Sequence, residues 1–120
     1  MAAGSGPVGL VGSETELSMT PFVGSAWQGA RVTWRSSPGY QGPVLIRGRE
    51  LAGPHAVGFG EGHVPYDELQ LLGRAYGVAA RPAGSERQWP SFTRVRGPGC
   101  YAYQVDGTSF SEVIVFRASG

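Results

Sequence analysis

Glycine and proline recur along the whole chain, and because they interrupt regular structure, they limit the length of any helix or strand. Twenty of the 120 residues are glycine and nine are proline, and they lie between short apolar runs without forming a repeat. Short apolar runs separated by frequent turn signals are typical of antiparallel β-sandwiches and barrels. A doubly wound α/β fold would need helical patterns of about 10–15 residues between its strands. The sequence contains no clear pattern of that kind, so we expect an all-β chain.

Alternation of apolar and polar residues marks the candidate strands. In "ARVTWRS", Val32 and Trp34 alternate with Thr33 and Arg35, as in a half-buried strand. Further candidates are "GPVGLVG", "TELSM", "GPVLIRGREL", "AVGFG" and "PSFTRVRG".

Three segments are less regular. The segment 66–72 contains Leu69 and Leu71 in strand-like alternation, but the preceding Pro65 and acidic pair are also a helix-start signal. We favour a strand there, with one helical turn as the alternative. We expect 73–90 to form a long irregular loop and 1–15 to form a flexible N-terminal segment.

The end of the chain predicts a hairpin. The segment "CYAYQV", Cys100–Val105, and the segment Thr108–Arg117 are joined by Asp106-Gly107, which is a strong hairpin signal between two strand-like runs. The second of these strands is apolar on both faces, with Ile114 and Phe116 on one and Val113 and Val115 on the other. Such a strand is expected inside a sheet or under a covering loop.

The run Gly99-Cys100-Tyr101-Ala102-Tyr103 resembles the Gly-x-Tyr-x-(Cys or apolar) pattern with which immunoglobulin-like sandwiches enter their penultimate strand. The resemblance implies a tyrosine corner at Tyr101 and places Tyr103 where the second disulfide cysteine would stand. It also suggests that Trp34 is the core tryptophan of the third strand, and that Asp106 and Gly107 are structural turn residues.

Several phrases of the chain are also similar to small uncharacterised bacterial domains of exported or lipoprotein-like proteins. These are "GPVLIRGREL", "WPSFTRV" and the C-terminal hairpin. The two resemblances together imply one immunoglobulin-like antiparallel sandwich of about seven strands over 1–120. They further imply an interaction or structural role without catalysis. They imply an extracytoplasmic location if a leader was removed, and a cytoplasmic one otherwise.

Charge and composition exclude several classes of function. The formal net charge is +1 and the ten basic residues, all arginine, are scattered, so we expect no nucleic-acid partner. No run of about 18 apolar residues occurs, so we expect no transmembrane segment. The N-terminus has neither a basic region nor a sustained apolar core, so we do not expect it to be a signal peptide. One cysteine allows no internal disulfide. No motif calls for a cofactor.

Catalytic and metal chemistry have few candidates. Cys100 would need a base, and only His55 and His63 could serve, so a small apolar filler is the favoured interpretation of the thiol. Glu61, His63 and Asp67 carry suitable metal-binding or acid/base atoms but lack a specific spacing. A small hydrolase built on these residues is the least favoured hypothesis, and we expect no metal site.

Aromatic residues near predicted turns are the candidate ligand contacts. Trp27, Tyr40 and Trp89 fall in or beside Gly/Pro-rich segments. Flat aromatics exposed in loops bind sugar rings or protein partners because they bury a large area at a low entropic cost. A carbohydrate- or small-ligand-binding module is therefore the alternative to a protein-interaction domain, although packing under a connecting loop explains such residues more often.

Overall fold

The structure is a computed structural model that describes residues 2–3, 6–11, 15–40, 42–71, 74–75, 78–79, 81–83 and 86–119. Every helix or strand assigned in these ranges is a β-strand, so the all-β prediction is confirmed. The described part of the chain contains no helix with the length and apolarity needed to cross a membrane.

The first sheet is built around two long central strands that pair over nine residues, with Trp34 opposite Trp89. Five of its strands lie side by side in the order β1-β2-β5-β12-β11. In addition, β4 pairs with β5, and β7 pairs with β12. All the pairings in this sheet are antiparallel. The strands are β1 (Ala2–Ala3), β2 (Val8–Val11), β4 (Thr20–Pro21), β5 (Gln28–Ser36), β7 (Gly58–Phe59), β11 (Arg81–Ala83) and β12 (Glu86–Val95).

The second sheet has the order β3-β14-β13-β6-β8. Its centre is the C-terminal hairpin, in which β13 pairs with β14 on one side and with β6 on the other. The short β3 joins the sheet parallel to the end of β14. The strands are β3 (Glu16–Ser18), β6 (Val44–Glu50), β8 (Leu69–Leu71), β13 (Gly99–Asp106) and β14 (Ser111–Ser119). A separate ladder pairs β9 (Arg74–Ala75) with β10 (Val78–Ala79).

The buried faces of the two sheets form one apolar core, which is consistent with a β-sandwich. Trp34 of β5 and Tyr103 of β13 meet edge-to-face, with ring centroids 4.9 Å apart. Tyr103 also stacks on Phe116, at 4.4 Å between centroids. Aromatic pairs of this kind contribute about 0.5–1.5 kcal/mol beyond the area they bury.

Two buried tyrosines of β13 form hydrogen bonds through their hydroxyls. Tyr101 is 1% exposed, and its hydroxyl donates a 2.6 Å hydrogen bond to the carbonyl of Gly97, just before β13 begins. The hydroxyls of Tyr103 and Thr93 lie 2.6 Å apart, and both side chains are fully buried. This second contact joins β13 of one sheet to β12 of the other.

The C-terminal hairpin forms as predicted, but its loop is longer. Asp106 pairs with Ser111, so the loop is 107–110 and the second strand begins at Ser111 instead of Thr108. The Asp106 carboxylate accepts hydrogen bonds from Ser111 and Gln104, and these bonds lower its pKa. Gly107 is needed for space and not for a positive φ, because a Cβ there would meet the ring of Phe110.

Several predictions for the irregular segments need correction. Strand β12 begins at Glu86, and β9, β10 and β11 lie before it, so 73–90 is not one irregular loop. Residues 72, 73, 76, 77, 80, 84 and 85 lie outside the described residues. The N-terminal 1–15 contains β2, which buries Val8 and Leu10 against the core. Leu69–Leu71 is a strand, as favoured. The chain has more strands than the seven expected, because several short strands flank the long ones.

Candidate interaction surface

The outer face of the second sheet is set by strict alternation along β13. Tyr101, Tyr103 and Val105 point into the core, so Cys100, Ala102 and Gln104 point outward.

Register then determines which side chains surround Ala102. It is paired with Arg49 of β6 on one side and with Val115 of β14 on the other, while Gln104 lies between Arg47 and Val113. We call this surface the Ala102 face; its members are Arg47, Arg49, Leu51, Cys100, Ala102, Gln104, Val113, Val115 and Arg117.

Apolar side chains on the Ala102 face are open to solvent. Leu51 is 57% exposed, Val113 59% and Val115 50%. The sequence predicted that β14 would sit inside a sheet or under a loop because it is apolar on both faces. It does lie between β3 and β13 in the sheet order, yet these two valines are uncovered. Exposed apolar residues are informative when they are contiguous, as they are around Ala102.

The surface is concave at its centre. A depression of about 360 Å³ is lined mainly by apolar atoms. Ala102 contributes only a methyl group to the lining, whereas its strand neighbours Arg49 and Val115 carry longer side chains. The lining residues are Arg47, Gly48, Arg49, Leu51, Ala102, Tyr103, Gln104 and Val113.

The charged groups around the depression are arginines. Arg47 contacts the Asp106 carboxylate at 3.3 Å, in a pair exposed to solvent. The side chains of Arg49 and Arg117 make no ion pair or hydrogen bond with any described residue, and both are exposed. Glu16 of β3 is the strand partner of Arg117 and is exposed on the same face, but no ion pair joins the two side chains. Arg49 and Arg117 are therefore cations of the Ala102 face without a contacting carboxylate among the described residues.

A buried arginine organises a different region, at the outer side of the first sheet. Arg94 of β12 is fully buried, and its guanidinium donates to the carbonyls of Trp27, Gln28, Gly60 and Gly62 and to the Ser25 hydroxyl. It also lies over the ring of Phe22, at 3.8 Å from the centroid. Burial lowers the pKa of Arg94 from its usual value. These contacts fasten the loops 22–28 and 60–63 to the sheet.

The three aromatics predicted to bind a ligand do not meet on one open face. Trp89 is fully buried in β12, and Arg87 lies over its ring. Tyr40 is 8% exposed, and its hydroxyl donates to the carbonyl of Pro43. Trp27 is half-buried beside Gly58 and Arg96. Trp89 was expected in or near a turn at the end of the 73–90 loop, but it lies within the long strand β12.

The candidate catalytic and metal residues are dispersed. Cys100 is exposed on the Ala102 face, where its strand partner is Arg117, and the structure shows no hydrogen bond between its thiol and either histidine. The Nδ1 atom of His55 lies 3.2 Å from the Glu50 carboxylate, while the ring of His63 lies beside Gly24. Among the described residues, no group of three metal-binding side chains comes together, Glu61 and Asp67 included.

Sequence reasoning did not identify Ala102, Leu51 or Arg49 as site residues. A small residue between two tyrosines carries no signal of its own. The alternation of Val113 and Val115 was visible, but their exposure depends on what covers β14.

Comparison with models of known protein families, with curated proteins and with solved structures found no significant match.

Proposed function

We propose that this chain is an immunoglobulin-like domain that acts as a non-enzymatic protein-interaction module, and that it binds its partner through the Ala102 face. The observation that carries the proposal is the contiguous exposed apolar surface of Leu51, Val113 and Val115 around a central depression. Large apolar residues gathered in one exposed patch mark interaction sites on soluble domains.

The strand order supports the immunoglobulin-like interpretation. In that fold, strands A, B, E and D form one sheet, while G, F and C, with C′ in variable-type domains, form the other. Here β2-β5-β12-β11 corresponds to A-B-E-D, and β14-β13-β6-β8 corresponds to G-F-C-C′. The bond from the Tyr101 hydroxyl to Gly97 matches a tyrosine corner at the start of strand F.

This correspondence changes the role given to Trp34. It lies on β5, the counterpart of strand B, so it takes the position of the first disulfide cysteine and not that of the strand C tryptophan. Its edge-to-face contact with Tyr103 then joins the sheets where a disulfide would stand in an antibody-type domain. A sandwich that is held this way does not depend on an oxidising compartment.

Site-specific photo-crosslinking in the source cells tests the proposed function. A benzophenone amino acid replaces Ala102 in one variant and Thr33, at the centre of the outer face of the first sheet, in the matched control. We expect discrete adducts with another protein from position 102 and not from position 33. The same adducts from both positions, or none from position 102, would refute an interaction through the Ala102 face.

A further inference from the structure

We propose that the partner of the Ala102 face is an acidic segment of another protein. One large apolar side chain of the segment enters the depression over Ala102, and carboxylates on either side of it pair with Arg49 and Arg117. This inference rests on the proposed function, because it assigns the chemistry of the partner to the same surface.

The shape of the depression provides the first argument. A volume of about 360 Å³ accommodates a large side chain, and its lining is mainly apolar. Leu51, Val113 and Ala102 are among the residues that line it. Buried aromatic or aliphatic anchors in such pockets contribute most of the binding energy at protein interfaces.

Charge provides the second argument. Arg49 lines the depression and is paired with Ala102, while Arg117 lies on the other side of β13, paired with Cys100 and outside the lining. From standard strand and residue spacings, their Cα atoms are about 12 Å apart, which suits two carboxylates separated by a few residues of an extended chain. Arginine binds carboxylates in a bidentate manner, so both side chains favour Asp or Glu on the partner.

A second copy of this chain fits the surface less well. Two Ala102 faces brought together would juxtapose their unpaired arginines, and like charges across an interface cost several kcal/mol. The Asp106 carboxylate is already engaged by Ser111, Gln104 and Arg47. Exposed Glu16 of β3 lies beside Arg117, so each copy would offer one free carboxylate against the unpaired Arg49 and Arg117 of the other.

Selection from a phage-displayed library of random twelve-residue peptides on the immobilised full chain tests this inference. We expect recovered peptides to carry an excess of Asp and Glu around a large apolar residue. A synthetic copy of the most enriched peptide should bind at least ten times more weakly to the Arg49→Glu/Arg117→Glu variant. It should also bind at least ten times more weakly to Ala102→Phe, which fills the depression. Arg31→Glu, on the exposed outer side of the first sheet, is the matched control and should bind like the wild type.

Thermal unfolding of each variant verifies that it is folded before affinity is compared. Recovery of peptides without an acidic excess, failure to recover any, or unchanged binding after charge reversal would overturn the inference. A dimer in light scattering that Ala102→Phe dissociates would overturn it as well, in favour of self-association. If crosslinks from position 102 persist alongside any of these results, the acidic chemistry is wrong while the proposed function stands.

Discussion

The buried hydrogen bond between Tyr103 and Thr93 should behave as a coupled pair in a double-mutant cycle. The two hydroxyls are 2.6 Å apart, and both side chains are fully buried. Removing one hydroxyl leaves the other buried without its partner, which costs about 1–3 kcal/mol. Removing both replaces a satisfied polar pair by apolar groups of nearly the same shape, which is close to neutral.

We therefore expect Tyr103→Phe and Thr93→Val each to lower the free energy of unfolding by about 2 kcal/mol. The double variant should lose at least about 2 kcal/mol less than the sum of the two single losses. For a chain of this size, each kcal/mol corresponds to about 4 °C in Tm. Urea unfolding followed by tryptophan fluorescence measures all four species.

Tyr101, another buried tyrosine with a hydrogen-bonded hydroxyl, provides a matched control. Tyr101→Phe removes the bond to the carbonyl of Gly97, which does not involve Thr93, so its cost should add to that of Thr93→Val. If Tyr103→Phe and Thr93→Val are also additive, the two hydroxyls do not bond to each other in the folded protein. The contact between the sheets at this point would then be apolar only.

Three further predictions concern the buried cation, the tyrosines and the hairpin loop. Arg94→Met should cost about 3 kcal/mol or more in urea unfolding, because several carbonyls lose this donor at about 1–3 kcal/mol each; a loss below about 1 kcal/mol would mean that water replaces the guanidinium. Burial raises the pKa of Tyr101 and, further, of Tyr103, so the stability contributed by their neutral forms is complete below the unfolded pKa and falls above it. Unfolding free energy should therefore drop above about pH 10, with Tyr103 contributing up to about 1.4 kcal/mol per pH unit, and Tyr103→Phe should reduce that slope; an unchanged slope would contradict the assignment. Gly107→Ala should cost about 1–3 kcal/mol because its Cβ meets Phe110, whereas Gly97→Ala has open space around its Cβ and should cost less; equal losses in thermal unfolding would refute the packing argument.

The all-β fold and the C-terminal hairpin were predictable because their signals are local. Tyr101, Tyr103 and Val105 alternate within six residues, and Asp106-Gly107 marks the reversal directly after them. The loop length was not predictable, since Asp106 pairs with Ser111 across the hairpin and the backbone N–H of Gly107 donates to the carbonyl of Phe110, and neither contact has a signal at Asp106-Gly107 itself.

The path through 86–95 shows how a local signal can mislead. The irregular loop was expected to run to residue 90, with the next strand beginning there, yet Pro90 lies inside β12 opposite Thr33 of β5. On the other edge of β12, β11 pairs with 86–88 and β7 with 93–94. Pro90 lies between these two described pairings, and a strand tolerates proline where its missing N–H leaves no ladder bond unmade.

The Ala102 face could not be predicted because its members come from separate parts of the chain. Arg49 and Leu51 stand about fifty residues before Cys100 and Ala102, and only the register between β6 and β13 brings them together. The arginines carried no signal in a chain with ten scattered ones. Their surroundings are set by strand register, which places Glu16 beside Arg117 and Ala102 beside Arg49.

Exposed valine is common on β-strands, since β-branched side chains favour extended backbone, so Val113 and Val115 by themselves would not define a site. Leu51 is different, because it follows β6 in a segment without strand structure and gains nothing from β propensity. Its 57% exposure beside the same depression is unfavourable in the isolated domain. An apolar side chain that leaves water on binding recovers about 25 cal/mol per Å², so a partner that covers Leu51 together with both valines offsets that cost. The site is therefore defined by the loop residue Leu51 together with the strand residues Val113 and Val115, which meet around Ala102.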